Sequence, residues 1–184
     1  MKNYEVIKVG EYDLINFTKL DELEIEMVRR WRNNPKVRMW MYNDRVIGRE
    51  EHNRFIESLK KLDEKMYYIV KKGSTYIGVL SFTSINWQHR RAYFGIYTNP
   101  ELRISGVGSN LMKLALYVAF KVFNLHSLRL EVIENNTKAI NLYKKFGFKE
   151  EGRLKDFVWR KEKWLDVIVM SIINPWESDE NENQ

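Results

Sequence analysis

Alternation of apolar and polar residues predicts a series of strands. It is clearest at residues 127–133 (SLRLEVI), where nearly every second residue is apolar, as expected of a strand with one buried face. Two earlier runs, 66–72 and 76–86, are separated by a glycine–serine turn, and a third follows at 91–99, so we expect an antiparallel meander. A weaker alternation over residues 4–9 predicts a first strand.

Apolar residues at helical spacing predict four helices. Three of them cover 21–33, 49–62 and 109–123, and a short fourth helix is capped by Asn136 and ended by Gly147. The apolar face of the first helix consists of Leu23, Met27, Val28 and Trp31.

The stretch 33–48 is predicted to be a loop, because Pro35 lacks a backbone donor and ends the first helix. Two last strands, 148–158 and 164–172, are joined by the polar turn RKEK. The resulting order, β α α β β β α β α β β, describes an α/β (α+β) chain of about seven strands and about four helices.

Length and composition indicate one globular domain. The chain has 184 residues, 44% hydrophobic and 30% charged, so we expect a single domain over residues 1–176 and an acidic, solvated tail over 177–184. The absence of cysteine excludes disulfides and a cysteine nucleophile, and the three histidines lack the spacing of metal ligands. No apolar run has the length of a signal peptide or a membrane span, which favours a cytoplasmic protein without a membrane partner.

A glycine pair lies between a predicted strand and a predicted helix, in the pattern Arg103-x-x-Gly106-x-Gly108. Glycine permits close approach to the backbone and a helix start presents unpaired N–H groups, so the segment suits an anion such as a pyrophosphate. Taken alone, the two glycines are also explained by a plain turn. A P-loop is excluded because no lysine follows at the required spacing, and no Rossmann fingerprint or serine-hydrolase elbow is present.

Two later features complete a known combination. Glu131 lies in the strand motif LEV, and Tyr143 lies in NNTKAINLYKKFGF on the next helix. With the glycine loop they resemble the GNAT (Gcn5-related N-acetyltransferase) superfamily, whose element order agrees along essentially the whole chain. The resemblance implies the GNAT fold, with a mixed, mostly antiparallel central sheet that is splayed between strands four and five. It also implies direct acetyl transfer from acetyl-CoA to an amine, with coenzyme A as product.

The resemblance further implies how acetyl-CoA is held. The main chain of Ile96 and Tyr97 would bond the pantetheine arm, and Arg103 would add charge beside the pyrophosphate. Asn136 would meet the cofactor arm while also capping its helix. The pyrophosphate would lie on the N–H groups of Ile104, Ser105, Gly106, Val107, Gly108 and Ser109.

Catalytic roles follow from the same resemblance. Tyr143 would be the general acid that protonates or hydrogen-bonds the leaving sulfur, and core packing is the alternative for this side chain. Glu131 would take the proton of the attacking amine, directly or through water, and burial would make it a better base near neutrality. The alternative for Glu131 is a structural carboxylate paired with a cation, and Glu134 is a weaker candidate for the base.

The acceptor is expected to bind residues of the first half. The segments WRNNPKVRMWMY (31–42), HNRFIESL (52–59), YFGIYTNP (93–100) and EGRLKDF (151–157) resemble the superfamily branch that serves pseudaminic acid biosynthesis. That branch acetylates the 4-amino group of UDP-4-amino-4,6-dideoxy-N-acetyl-β-L-altrosamine, for flagellin glycosylation. The residues implied to contact this nucleotide sugar are Arg30, Arg32, Arg38, Trp40, Met41, Tyr42, His52, Trp87 and Ile133.

The chemistry of these side chains is consistent with such a sugar. Trp40, Met41 and Tyr42 would form an apolar wall for the 6-methyl group. A nucleotide diphosphate needs cations and a stacking surface, and the arginines and His52 would supply part of both. The alternative is that Trp31 and Trp40 belong to the core and that the arginines form a solvated face.

Other functions remain open from the sequence. A GNAT enzyme acting on a protein N-terminus, as the ribosomal-protein type does, or on a polyamine would share the same motifs, although a polyamine site should be acidic. A nucleic-acid-binding module is suggested by the net charge of +6, but no nucleic-acid-binding signature is present and we expect no nucleic acid partner. An exposed strand edge near the C-terminus leaves a homodimer open.

Overall fold

The computed structural model describes residues 4–177, which form two compact units. Within that range, the first unit contains residues 4–83 and 95–111, and the second contains 84–94 and 112–177. No helix of the described residues is both long and apolar enough to span a membrane.

The strands of the first unit are joined by tight turns. A hairpin of β1 (Val6–Val9) and β2 (Tyr12–Asn16) replaces the single first strand that the sequence predicted, because Gly10 adopts a φ of +56° and turns the chain back. Strand β3 (Met66–Lys72) pairs antiparallel with β2 on one side and with β4 (Thr75–Asn86) on the other, which confirms the first turn of the meander.

Three helices follow the first hairpin. Helix α1 (Glu22–Asn33) begins with a capping box in which Asp21 and Glu24 each accept the other's backbone N–H, at 2.8 and 3.1 Å. The stretch predicted as a loop contains a short helix, α2 (Pro35–Arg38), because proline at a first helical position lacks only a donor that a helix start leaves unused. Helix α3 covers Arg49–Leu59.

The core of the first unit is formed by apolar residues of these helices and strands. It contains Phe17, Leu20, Val28, Trp31, Ile56, Leu59, Ile69 and Val79. Leu23, which the helical pattern assigned to the apolar face of α1, is 82% exposed, and the prediction for that residue was wrong. Leu23 lies in the first turn of α1, ahead of the buried residues Val28 and Trp31.

Strand β5 (Arg91–Thr98) and helix α4 (Val107–Tyr117) each run through both units. Helix α4 starts two residues earlier than predicted and continues as a π-helical turn over Val118–Val122. The second unit adds β6 (Ser127–Ile133), α5 (Thr137–Lys145), β7 (Lys149–Arg160) and β8 (Lys163–Ile173).

The strands are hydrogen-bonded in the order β1-β2-β3-β4-β5-β6-β8-β7. In the second unit β5 pairs parallel with β6 from Arg91–Tyr93 to Ser127–Arg129, and β8 pairs antiparallel with β6 and β7. The described residues thus form a mixed sheet of eight strands with five α-helices, one strand and one helix more than predicted. The additional elements are the second strand of the first hairpin and the short helix α2.

The chain end of the second unit is bonded to the body of that unit. Asn174 donates from Nδ2 to the Leu125 carbonyl at 3.2 Å, and Glu177 pairs with Arg90 and His126. Glu177, the first residue of the predicted tail, is therefore paired within the second unit. Residues 178–184 of that predicted tail lie outside the described residues.

Candidate active site

The loop after β5 leads to the start of α4 in the first unit. Residues 103–106 are exposed, whereas Val107, the first residue of α4, is buried. Asn110 donates its N–H to the Gly106 carbonyl at 3.0 Å, which is the first hydrogen bond of the helix. The N–H groups before Asn110 therefore have no helical carbonyl to which they can donate. The predicted pyrophosphate residues 104–109 lie together at this exposed helix start.

Gly106 is required for its backbone conformation and not for its small size. Its φ of +80° lies in the region that favours glycine, and an added Cβ would meet no atom within 4 Å. The surface beside Gly106 is consequently open. An open surface with free N–H groups and Arg103 nearby fits the diphosphate of acetyl-CoA.

Two residues that the sequence patterns did not single out hold this part of the first unit. A Cβ on Gly78 would lie 2.4 Å from the Tyr97 carbonyl oxygen and 2.8 Å from Leu111 Cδ1, so β4, β5 and α4 approach closely at Gly78. Asn99 is a buried polar residue directly after β5. A glycine inside a strand and an Asn-Pro dipeptide are the signals that would have identified them.

The strand residues predicted to bond pantetheine form the end of β5. Ile96 and Tyr97 are half-buried, and the Tyr97 ring packs against the core of the first unit. Burial raises the pKa of the Tyr97 phenol, and the Arg32 guanidinium partly opposes that rise. Arg32 therefore lies within electrostatic range of the strand that is predicted to carry the cofactor arm.

Arg32 is half-buried near the C-terminal end of α1. Its Nη2 donates to the Asn43 carbonyl oxygen at 2.6 Å, while Nη1 is buried and has no hydrogen-bond partner within residues 4–177. Burial lowers the pKa of Arg32; Tyr97 and Glu51 counteract this, and Arg38 and Arg45 add to it. A guanidinium keeps its charge in proteins, so Arg32 presents an unsatisfied cationic donor.

Several α1 and α2 side chains anchor the segment that follows them. Arg29 Nη1 and Asn33 Nδ2 both donate to the Ile47 carbonyl at 2.9 Å, and Arg38 Nη1 donates to the Asp44 carbonyl at 2.8 Å. Arg38 Nε, like Arg32 Nη1, is buried without a partner among the described residues. Arg29, Arg32 and Arg38 each donate a hydrogen bond to a backbone carbonyl. They are therefore neither a free cationic face nor groups that serve only a ligand.

The remaining acceptor candidates of the first unit differ in exposure. Trp40 and Met41 are half-buried and Tyr42 is exposed, so they present an apolar surface, whereas Trp31 belongs to the core. Arg30 is exposed, and it lies about 200° around α1 from Arg32, so the structure does not bring these two arginines together.

His52 is buried, with 4% of its surface exposed, and its Nδ1 has no partner within residues 4–177. Burial lowers the pKa of His52, Arg29 and Arg32 lower it further, and Glu26 opposes them. The imidazole is therefore neutral near pH 7. Burial and the two arginines thus disfavour a cationic contribution from His52.

In the second unit Tyr143 is buried within an aromatic cluster. Its ring meets Phe94 edge-on at 6.1 Å between centroids, and Phe148 lies at the same distance. Burial raises the pKa of Tyr143 to about 12, and within residues 4–177 its hydroxyl has no hydrogen-bond partner. The ring therefore packs, as the alternative for this side chain expected, and the hydroxyl is protonated near pH 7; its role as general acid stays a prediction.

Asn136 caps α5, as predicted. Its Oδ1 accepts the Ala139 N–H at 3.3 Å, and Gly147 ends the helix region with a φ of +91°. The amide nitrogen of Asn136 has no partner among the described residues, so the cap leaves a donor available for a ligand.

The two candidate bases have different surroundings. Glu131 is exposed in the middle of β6, so the burial expected of it was wrong; its neighbours along the strand, Leu130 and Val132, take the buried face. Ile133 is buried and packs in a cluster with Val158. Glu134 accepts hydrogen bonds from Arg153 at 3.0 Å and from the Asp166 N–H at 2.9 Å, which assigns it a structural role.

Asp166 organises a bulge in β7. Its Oδ1 accepts the Asp156 N–H at 3.0 Å, and its Oδ2 lies 3.1 Å from both Arg153 and Lys155. The hydrogen bond from Asp156 and the two cations lower the pKa of Asp166 to about 2, against a raising effect of burial. The strand register shifts between Leu154 and Val158 at this point.

Trp87, the last acceptor candidate, lies just after β4 in the second unit. It is partly exposed and packs edge-on against Phe123 at 5.7 Å between ring centroids. Its ring therefore has a packing role of its own.

The known proteins to which this chain is similar are acetyltransferases. The sequence model of the acetyltransferase (GNAT) family matches residues 25–148. Acetyltransferase PseH of Campylobacter jejuni (subsp. jejuni serotype O:23/36, strain 81-176) is 35% identical over 144 residues, covering 78% of this chain and 88% of that protein.

Two solved structures are similar in fold. The Vibrio cholerae spermidine N-acetyltransferase in complex with CoA and spermine has a TM-score of 0.81 at 25% identity and covers 90% of this chain and 97% of its own. The Campylobacter jejuni N-acetyltransferase PseH in complex with acetyl coenzyme A has a TM-score of 0.68 at 28% identity and covers 88% and 98%. Of these two relatives, the spermidine enzyme has the more similar backbone and PseH has the more similar sequence.

Proposed function

The chain belongs to the acetyltransferase (GNAT) family, and we propose that its acceptor is the 4-amino group of UDP-4-amino-4,6-dideoxy-N-acetyl-β-L-altrosamine, in pseudaminic acid biosynthesis. The enzyme is an N-acetyltransferase that uses acetyl-CoA. Residues 103–109 of the first unit would hold the diphosphate of acetyl-CoA. The main chain of Ile96 and Tyr97 would bond its pantetheine arm, and the side-chain amide nitrogen of Asn136 would donate a hydrogen bond to that arm.

The unsatisfied guanidinium of Arg32 is the observation that supports this acceptor most strongly. A buried cationic donor without a partner costs about 1–3 kcal/mol or more, so the site is incomplete without an acceptor of hydrogen bonds. A phosphate oxygen matches the planar donor geometry and charge of a guanidinium. Arg38 Nε, also buried and unpaired, adds a second such donor in the first unit.

A polyamine is the second candidate, favoured by the TM-score of 0.81 to the spermidine enzyme. The charges on α1 oppose it. Glu26 accepts two hydrogen bonds from Arg29 at 2.9 and 2.7 Å, which lowers its pKa to about 2, and Glu24 accepts from the Tyr76 hydroxyl at 2.7 Å. These carboxylates keep their charge, but their oxygens are occupied. The charged groups that act on Arg32 are Glu51, Arg38 and Arg45, so an ammonium group beside Arg32 would meet more positive than negative charge.

The sugar itself would contact apolar side chains. A 6-deoxy sugar exposes a methyl group, which is best placed against surface that is not solvated. Trp40, Met41 and Tyr42 supply such surface, and the neutral His52 contributes a hydrogen-bonding nitrogen without charge. Trp87 and Ile133 of the second unit remain proposed acceptor contacts.

Tyr143 would assist the departure of the sulfur. When bound, acetyl-CoA supplies a thioester whose acetyl group passes to the amine while its sulfur leaves with negative charge. A thiol has a pKa of about 8.5, well below that of Tyr143, so complete proton transfer from the phenol is uphill. The hydroxyl therefore acts first as a hydrogen-bond donor that stabilises the developing charge.

Glu131 would accept the proton that the attacking amine loses. Its exposed carboxylate can pass that proton to solvent, and a bridging water would extend its reach. Glu134 does not suit this role, because Arg153 and the Asp166 N–H occupy its oxygens.

Thiol release from acetyl-CoA tests the proposal. Purified protein is mixed with acetyl-CoA and, in separate reactions, with the UDP-amino sugar, spermidine or N-terminal peptides, and free thiol is followed with a chromogenic disulfide. We expect release with the sugar. Release with spermidine or a peptide, and none with the sugar, would overturn the acceptor assignment while leaving the acetyltransferase activity in place.

A further inference from the structure

A buried asparagine controls how the chain leaves β5 toward the exposed loop. Asn99 is 8% exposed, whereas residues 103–106, only four positions later, are exposed. Its backbone N–H donates to the Ile77 carbonyl at 2.9 Å, and its side-chain Nδ2 donates to the Tyr76 carbonyl at 3.0 Å. Both bonds fix the end of β5 to neighbouring carbonyls of β4.

Asn99 also closes the turn that follows it in the chain. Its Oδ1 accepts the Glu101 N–H at 2.9 Å, and its carbonyl accepts the Leu102 N–H at 3.2 Å. Pro100, in the second position of this turn, has a fixed φ and no N–H to satisfy. All four hydrogen-bonding groups of Asn99 are thus engaged, two on each side of the strand end.

The loop beyond this turn is short. From Leu102, four residues lead to the first residue of α4, and four residues span at most about 14 Å. Any displacement of the turn at residues 99–102 is therefore passed on to the N–H groups of 104–109. Hydrogen bonds to a diphosphate weaken steeply with misdirection, so these N–H groups bind well only when the turn is in place.

We propose that Asn99 is a positioning residue for the diphosphate of acetyl-CoA. It does not touch the ligand; it orients residues 103–109 through the Tyr76 carbonyl on one side and the Glu101 N–H on the other. The inference rests on acetyl-CoA as the donor and is independent of which amine accepts the acetyl group.

Two substitutions separate the functions of the side chain. Asn99→Asp keeps an oxygen for the Glu101 N–H but replaces the donor that faces the Tyr76 carbonyl, and Asn99→Ala removes both bonds. Tyr76→Phe is the matched control, because it removes the hydroxyl bond to Glu24 and keeps the carbonyl that Asn99 uses.

The test is the equilibrium dissociation constant of free coenzyme A, measured by calorimetry well below each variant's melting temperature. We expect a rise of about tenfold or more for both Asn99 variants and a value within about twofold of wild type for Tyr76→Phe. In steady state, KM for acetyl-CoA should rise with kcat at saturation little changed. If one variant fails to fold, the other decides. Unchanged coenzyme A affinity in a folded Asn99 variant would overturn the proposal, even where its melting temperature falls.

Discussion

Arg32 donates a hydrogen bond to the carbonyl oxygen of Asn43 at 2.6 Å, through one of its two terminal nitrogens. The other nitrogen is buried and unpaired within residues 4–177. One side chain therefore both orders the segment after α2 and offers a charged donor to a ligand. We therefore expect the order of this loop and the binding of the proposed acceptor to be coupled at Arg32.

Replacing Arg32 by Gln should weaken binding of the anionic acceptor. The loss of one hydrogen bond to a charged group is about 1.5–3 kcal/mol, or roughly 10- to 100-fold in affinity. The measurement is inhibition by UDP at fixed acetyl-CoA. Arg54→Gln is the control, because it removes the same charge from an exposed position on α3, where its carboxylate partner Glu50 is 3.9 Å away. Equal inhibition constants for wild type and Arg32→Gln would exclude a phosphate contact.

Tyr143→Phe should reduce turnover by about 10²-fold or more and leave coenzyme A affinity nearly unchanged, since only a donor to the leaving sulfur is lost. The ring packing against Phe94 and Phe148 is retained in this variant. Tyr117→Phe, on the exposed side of α4, provides the control. Wild-type turnover in Tyr143→Phe would leave the side chain with its packing role alone.

Gly78→Ala should destabilise the protein. The added Cβ would lie 2.4 Å from the Tyr97 carbonyl, so backbone must move, at a cost of about 1–3 kcal/mol. Thermal unfolding should show a lower midpoint, and coenzyme A should bind more weakly because the end of β5 shifts. Gly152→Ala is the comparison, since a Cβ there meets nothing within 4 Å. Similar midpoints for the two variants would contradict the close approach seen at Gly78.

The ion cluster of Asp166 should give the protein an acid-dependent stability. Its pKa in the folded state, about 2, lies below the value of about 3.9 in an unfolded chain, so its contribution is present above pH 4 and is lost as pH falls toward 2. Asp166→Asn should lower the melting temperature at pH 6, and its deficit should shrink toward pH 2. Asp156→Asn, which keeps the N–H donated to Asp166, should behave as wild type. A deficit independent of pH would show that packing, and not charge, is responsible.

The hydrophobic pattern predicted the strands that contain several buried apolar residues. Strands β3 and β6 have the predicted bounds. Strand β6 alternates apolar and polar residues, and β3 is a short run of aromatic and β-branched residues that ends at a glycine turn. The hairpin strand β2 was missed, since it has one fully buried residue, Leu14, and therefore little alternation. Helix α2 was missed because a proline can stop one helix and start the next.

The sequence motifs predicted which residues are candidates for the site, but they did not predict how exposed those residues are or which charges lie beside them. The cap at Asn136 and the exposed helix start after Gly106 were predictable, because local backbone geometry determines both. The exposure of Glu131 and the neutral state of His52 depend on which side chains the fold packs beside them, and no local pattern records that. The positioning role proposed for Asn99 depends on hydrogen bonds to carbonyl groups of β4 that lie more than twenty residues away along the chain.

A competition between amines tests the acceptor assignment most directly. The UDP-amino sugar and spermidine are supplied at equal concentration to the enzyme with limiting acetyl-CoA, and the acetylated products are quantified by mass spectrometry. The charges around Arg32 and the engaged carboxylates of α1 predict that nearly all of the acetyl group is recovered on the sugar. Recovery mainly as acetylspermidine would contradict the account, and the similarity of the backbone to the spermidine enzyme would then be the better guide.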